Sequence, residues 1–221
     1  MTQVVRIDFV SDVVCPWCAI GLRSLLAALN ELEDEVSADI HFQPFELAPG
    51  MSENGEDLTA YLSSKYKISA EQVAQTQANI TERGQQLGFE FNFNSNSRKW
   101  NTFDAHRLLH WAGETSDKQL TLKELLLDAN FTDNRNISNH ELLTELVSVA
   151  GLDAGEAREV LTSGRYAEEV RNEEARWQQQ GIHSVPTMIF DNRYAVSGGQ
   201  PVETFVEVMR ELMKESAARS K

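Results

Sequence analysis

SDVVCPWCAIG, residues 11–21, carries both cysteines of the chain, Cys15 and Cys18, two residues apart. Just before it, VVRIDFV at 4–10 is β-branched and partly alternating, with Val5, Ile7 and Phe9 on one side, the pattern of a strand buried on both faces. Just after it, Pro16 opens a segment with Ile20, Leu22, Leu25, Leu26, Leu29 and Leu32 at helical spacing, closed by the acidic ELEDE. The pair therefore falls at a strand-to-helix junction. ADIHFQPFEL at 38–47 alternates again, with Ile40 and Phe42 on one face, and runs to the turn at Pro49-Gly50. The opening is β-α-β, and a right-handed crossover makes its two strands parallel.

From about residue 56 to 180 the pattern turns helical. Ser69-Ala-Glu-Gln72 and Ser138-Asn-His-Glu141 read as capping boxes, each ahead of an apolar-periodic run. Further helices are expected over roughly 101–112, 119–129, 154–162 and 165–180. FEFNFNS at 89–95 reads as an extended connector with Phe89, Phe91 and Phe93 docked on the core. Strands return at Thr187–Phe190 and Tyr194–Ser197, joined by a hairpin turn at Asp191-Asn-Arg193, and Pro201 starts a last helix with Phe205, Val208, Met209 and Leu212 on one face. The order is β-α-β, helices, β-β-α, with neither repeat nor linker between. This predicts an α/β fold of thioredoxin-like type in which 1–55 and 181–221 form one discontinuous domain and 56–180 an inserted helical subdomain.

At 221 residues the chain can bury a sizeable core without a disulfide. Its net charge of −14 repels phosphates and anionic lipid, which argues against nucleic-acid or membrane partners. Arg6, Asp8 and Asp12 interrupt the apolar N-terminal residues, so no secretory core region is read there, and the expectation is a cytoplasmic protein.

Three readings of Cys15 and Cys18 compete. Structural zinc takes four ligands, usually as two pairs. The chain has no second cysteine pair, and His106-x-x-x-His110 lies roughly ninety residues beyond Cys18, far from the spacing of about 12–15 residues in zinc fingers. No metal site is expected. A purely structural disulfide is out of place in a reducing compartment. A redox pair has positive support: a cysteine between a strand and a helix meets unpaired N–H groups and the positive end of the helix dipole, and both favour thiolate. Pro16 has no N–H to leave unpaired, and Cys18, one turn in, is placed to attack a mixed disulfide at Cys15.

IHSVPTMIF, 182–190, offers an independent test. Proline is tolerated at a buried strand only at its start or a bend. Val185-Pro186 stands where a thioredoxin-like fold places a cis proline beside the reactive sulfur, so that the Val185 main chain can pair with an extended substrate.

SDVVCPWCAIG, NTFDAHRL at 101–108, SVPTMIF at 184–190 and AVSGGQP at 195–201 together resemble the DsbA-like branch of the thioredoxin superfamily, and within it the FrnE subfamily. The likeness spans most of the chain, including the place of the insertion. It implies a thiol-disulfide oxidoreductase or isomerase, with Cys15 the nucleophile, Cys18 the resolving thiol and Pro186 the cis proline. No bound cofactor is implied; the partners would be client protein thiols and disulfides, glutathione or another dithiol. Pro16, Trp17 and Val185 would contact substrate. DsbA proteins carry Pro-His between their cysteines where this chain has Pro16-Trp17, and indole offers only a neutral N–H. A thiol less acidic than DsbA's, about 3.5, and a potential below roughly −120 mV are therefore expected. Ala19 replaces an aromatic more usual in close relatives, which would open the groove.

Asp12, three residues before Cys15, could relay a proton, although bonding loop amides is the commoner role of such an aspartate. Asn101 and His106 could face the groove; a helix-surface histidine bonded to its neighbours is at least as frequent. Trp17 is expected partly exposed beside the sulfurs, and Trp100, Trp111 and Trp177 buried or half-buried. Rival functions on the same scaffold are the kappa glutathione transferases and 2-hydroxychromene-2-carboxylate isomerases, which generally carry serine at the Cys15 position, and a peptide-binding chaperone.

Overall fold

A computed structural model describes residues 2–219 of the chain. The first strand, β1 (Gln3–Ser11), leads through the cysteine loop into α1 (Pro16–Glu31) and back along β2 (Val36–Pro44). β2 lies parallel to β1, in register from Gln3 opposite Val36 to Ser11 opposite Pro44. The strand stops there, short of the alternation expected through residue 47, because Pro44 has no N–H to continue the ladder.

The insertion opens with the short strand β3 (Glu56–Asp57), then α2 (Leu58–Tyr66) and α3 (Ala70–Gln86). Ser69 caps α3 through the expected reciprocal bonds with Gln72. Residues 89–95 then run irregularly, with Phe89 and Phe91 buried and Phe93 packed beside them, as expected. Phe91 stacks on Phe93 at 5.5 Å and meets Phe131 edge-on at 5.2 Å, ring contacts each worth about 1 kcal/mol beyond burial. β4 (Arg98–Lys99) pairs antiparallel with β3. α4 (Phe103–Thr115), α5 (Gln119–Phe131), α6 (His140–Val149), α7 (Ala154–Ser163) and α8 (Ala167–Gln179) follow. The cap of α6 is Asn139, whose side chain accepts from the Leu142 N–H; Ser138 instead donates its hydroxyl to the Asn101 carbonyl at 2.9 Å. The N-cap thus lies one residue beyond the expected Ser138, and with Leu142 at the third helical position the expected capping box does not form.

The chain returns as β5 (Thr187–Phe190) and β6 (Tyr194–Ser197), then α9 (Val202–Arg219). Asp191 and Asn192 both adopt positive φ, the geometry that lets a tight turn follow the strand twist. β5 pairs antiparallel with β1 and with β6, giving a four-stranded sheet in the order β2-β1-β5-β6. Val5, Ile7 and Phe9 of β1 enter a core built with α1 and α9, while Val10 on the other face meets Phe45 and Trp177. A second core holds α4 to α7 together with Val13 and Val14 of the cysteine loop. The result is the expected thioredoxin-like β-α-β and β-β-α frame with a helical insertion, and the cysteine loop is wedged where the two cores meet.

Candidate active site

Cys15 is the N-cap residue of α1, with extended backbone, and Pro16 fills the first helical position. Its carbonyl accepts the N–H of Cys18 at 3.0 Å, and its own N–H donates to the Asp12 carbonyl at 3.2 Å. Both cysteines are buried free thiols. The Val185-Pro186 peptide is cis, and the Cys15 thiol donates to the Val185 carbonyl at 3.7 Å. The Pro186 carbonyl in turn accepts the Gly198 N–H at 2.8 Å, tying this loop to the end of β6.

Two glycines permit the approach of α1 to that loop. A methyl group on Gly21 would stand 3.1 Å from Met188 Cε and 3.2 Å from Pro186 Cγ. One on Gly199 would stand 3.0 Å from the Trp17 carbonyl oxygen and 3.1 Å from Ile20 Cγ2. Trp17 is 38% exposed, and the Arg83 guanidinium of α3 lies 5.7 Å from its ring. Arg83 also donates to the Gly199 carbonyl at 2.6 Å, so one side chain links insertion, indole and strand end.

The two thiols are driven apart in acidity. The Cys18 thiol against it holds Cys15 below the ordinary thiol value; burial opposes this, the Cys18 N–H and the Lys99 ammonium assist, and the Asp12 charge resists. Burial, then the neighbouring Cys15, pushes Cys18 well above the ordinary value. Chemically this is an asymmetric dithiol, in which Cys15 ionises more readily than an ordinary thiol and Cys18 less readily.

Beneath the pair, Asp12 is fully buried. Burial alone would raise its carboxyl, but His106, the Lys99 charge and the Leu47 N–H outweigh that and hold it well below the usual carboxylate range. Its Oδ2 accepts the Leu47 N–H at 2.8 Å, and His106 Nε2 lies 3.4 Å from Oδ1. Two lysines complete the surroundings. Lys123 of α5 is 0% exposed, donates to Ser11 Oγ at 2.9 Å and is held below its ordinary value by burial. Lys99 of β4 is 4% exposed and likewise depressed by burial, although Asp12 and Cys15 favour its charge.

A family model described as the DSBA-like thioredoxin domain matches residues 6–210. The chain belongs to that family. The DSBA-like chain is 33% identical to a probable DsbA oxidoreductase from Streptomyces coelicolor, whose crystal structure superposes with a TM-score of 0.89 over 96% of this chain and 91% of that one. An uncharacterized protein of Bacillus subtilis, YwbO, is 28% identical over 84% of this chain and 86% of its own length. A 2-hydroxychromene-2-carboxylate isomerase structure superposes with a TM-score of 0.70 over 98% and 100% of the two chains; at 15% identity this is a likeness of fold.

In this DSBA-like domain Cys15, Cys18, Pro16, Trp17, Val185 and Pro186 gather around one point, with Asp12 and His106 directly below. His106 is buried against Asp12, not set on a helix surface. Asn101 belongs elsewhere: its amide donates to the Met51 carbonyl at 2.8 Å and its oxygen accepts the Phe103 N–H at 3.0 Å, so it braces the start of α4 and lines a different cavity from Cys15. Lys99 and Lys123 escaped the sequence reading. Lys123 left a trace, since it precedes the buried Leu127 by four residues and so falls on the apolar face of α5. Lys99, in a two-residue strand, left none.

Proposed function

We propose that the protein is a thiol-disulfide oxidoreductase of FrnE type, cycling a Cys15–Cys18 disulfide with client protein thiols or a small thiol such as glutathione. The observation that carries this reading is the opposed acidity of two adjacent free thiols at a helix N-terminus facing the Val185 carbonyl. In the reducing direction the Cys15 thiolate attacks a substrate disulfide, forms a mixed disulfide and expels one substrate thiolate, which takes up a proton. Cys18 then gives up its proton and attacks Cys15 Sγ, which closes the Cys15–Cys18 bond and releases the second substrate thiol. Oxidation of a client dithiol runs the same steps backwards, and the redox poise of the partners sets the direction.

In this reading Pro186 and Val185 present a main-chain edge to an extended substrate, Pro16 and Trp17 form its apolar border, and Asp12 with His106 keeps a fixed charge under the pair. Residues 1–55 and 181–221 act as the redox domain, and 56–180 as a subdomain that shapes access to it. The test is trapping. Cys18→Ser should accumulate mixed disulfides at Cys15, and Cys15→Ser should abolish dithiol exchange. An isomerase or transferase activity that survives Cys15→Ser would replace this reading, as would aggregation suppression as the sole activity.

A further inference from the structure

A cavity of about 370 Å³ opens against Cys15, walled by Tyr61, Leu62, Val73, Ile80, Phe93 and Phe131 from the insertion. Its volume lies at the lower end for small-molecule sites, which run from about 300 to 1,000 Å³. α2 contributes one wall, and none of its nine residues is buried: Leu58, Tyr61 and Leu62 keep part of their apolar surface uncovered. No residue of the loop 182–186 lines the space. A peptide backbone lying along Val185 therefore leaves the cavity unfilled, and its occupant is something other than that main chain.

Lys99 names the chemistry of the occupant. Lys99 lines the cavity and is 4% exposed, and its ammonium has no hydrogen bond or ion pair among the described residues; its aromatic neighbour is the Tyr61 ring at 5.8 Å. The side chain is largely withdrawn from water, and although the Asp12 charge favours the ammonium, its N–H groups have no acceptor among the described residues; a carboxylate entering the cavity is the partner that best supplies one. Lys65, at the same cavity, is exposed to solvent and spends two of its three N–H donors on the Leu47 carbonyl at 3.3 Å and the Tyr61 hydroxyl at 3.2 Å, so it adds charge but gains less than the withdrawn Lys99 from an incoming carboxylate. This cationic spot belongs to a chain of net charge −14, where a general surface attraction for anions is absent.

We infer that the cavity binds small apolar thiols or disulfides bearing a carboxylate, with the sulfur at Cys15, the hydrocarbon body against α2 and α3, and the carboxylate on Lys99. The inference rests on the redox reading above and gives it a substrate class. Electrons balance as in any dithiol exchange: a substrate dithiol becomes a cyclic disulfide as the Cys15–Cys18 bond is reduced to two thiols.

Dihydrolipoate and dihydrolipoamide make a matched pair, the same dithiol and chain ending in a carboxylate or a neutral amide. The second-order rate at which each reduces the oxidised protein can be followed by Trp17-sensitive fluorescence in about 0.5 M salt, where the screening length is roughly 4 Å and distant steering is suppressed. The expected result is a preference of tenfold or more for dihydrolipoate, lost in Lys99→Met. Any effect of Lys99 on the cysteines themselves alters both rates and cancels in their ratio. Octanoate should compete with dihydrolipoate in the unaltered protein and octanamide should not, a measurement that needs no variant to fold. Equal rates for the two dithiols, an unchanged ratio in Lys99→Met, or equal competition by acid and amide would overturn the inference. Failure of both dithiols to open the disulfide would instead overturn the redox reading beneath it.

Discussion

The Val185 carbonyl oxygen accepts the Cys15 thiol at 3.7 Å from 170 residues further along the chain. The contact exists only while Cys15 holds its proton. On ionisation the carbonyl loses its donor and is left free to accept another N–H, so that under the proposed function activating the sulfur and exposing a docking point would be one event. Whatever sets the proton affinity of Cys15 therefore also sets when its main-chain neighbour is available.

The neighbouring Cys18 is the largest influence holding Cys15 down. In the reduced protein, alkylation by iodoacetamide should report a single early titration, at Cys15, below the ordinary thiol value of about 8.5. Cys18→Ala should move that titration upward by removing the thiol that supports the anion. An unmoved profile would show that the helix terminus alone sets the acidity.

Lys123 is a buried ammonium paired with a serine hydroxyl, with the Cys18, Asp12 and Cys15 charges favouring its ionised form. Burial is the largest influence on the Lys123 ammonium and holds it below its ordinary value, so the charge is a net cost to the fold that a methionine of similar length removes. Lys123→Met should accordingly melt no lower than the unaltered protein. Its reduction potential should fall, because a thiolate deprived of a cation favours the disulfide. A lower melting temperature together with an unchanged potential would assign Lys123 to the scaffold alone.

These lysines also mark where the sequence stopped being informative. Strand and helix periodicity revealed β1, α1, the β5–β6 hairpin and the docked phenylalanines, because each of those elements is long or repeats its pattern. The cysteine pair and Val185-Pro186 were readable from their junctions with strands. Asn101 and the lysines were not, since their roles depend on which distant loop they reach: Met51 for Asn101, Ser11 for Lys123, the Cys15 cavity for Lys99. The tryptophan between the cysteines suggested a thiolate without a cation, but the insertion brings cations from far away in sequence.

Asp12 couples the same site to acid stability. Its folded carboxyl titrates well below the unfolded value of about 3.9, so its contribution is complete above that value. It declines as pH falls below about 4 and vanishes only once the buried carboxylate itself protonates. Asp12→Asn should be less stable at neutral pH and show a flatter loss of stability in acid. The Asp12 charge also opposes ionisation of Cys15, so alkylation of Cys15 in Asp12→Asn should shift to lower pH. Equilibrium unfolding across the acid range and alkylation profiles check both halves; parallel acid limbs in the two proteins would contradict the first.

The glycines of α1 and of the β6 end, Gly21 and Gly199, should be intolerant for a steric reason. Neither Gly21 nor Gly199 has positive φ, so alanine is conformationally acceptable at both, and only the neighbours object. At Gly21 the nearest obstacle is the terminal methyl of Met188 at 3.1 Å, which can rotate aside, followed by the Pro186 ring at 3.2 Å, which cannot. At Gly199 it is the Trp17 carbonyl oxygen at 3.0 Å, a backbone atom of α1. Overpacking of this kind typically costs about 1–3 kcal/mol. Gly199→Ala should sit at the upper part of that range and Gly21→Ala at the lower, measured by denaturant unfolding. Because the Gly199 clash pushes directly on Trp17, its alanine variant should also change the emission of Trp17 and the rate of dithiol exchange, whereas a surface glycine such as Gly50, which has open space around it, should change neither.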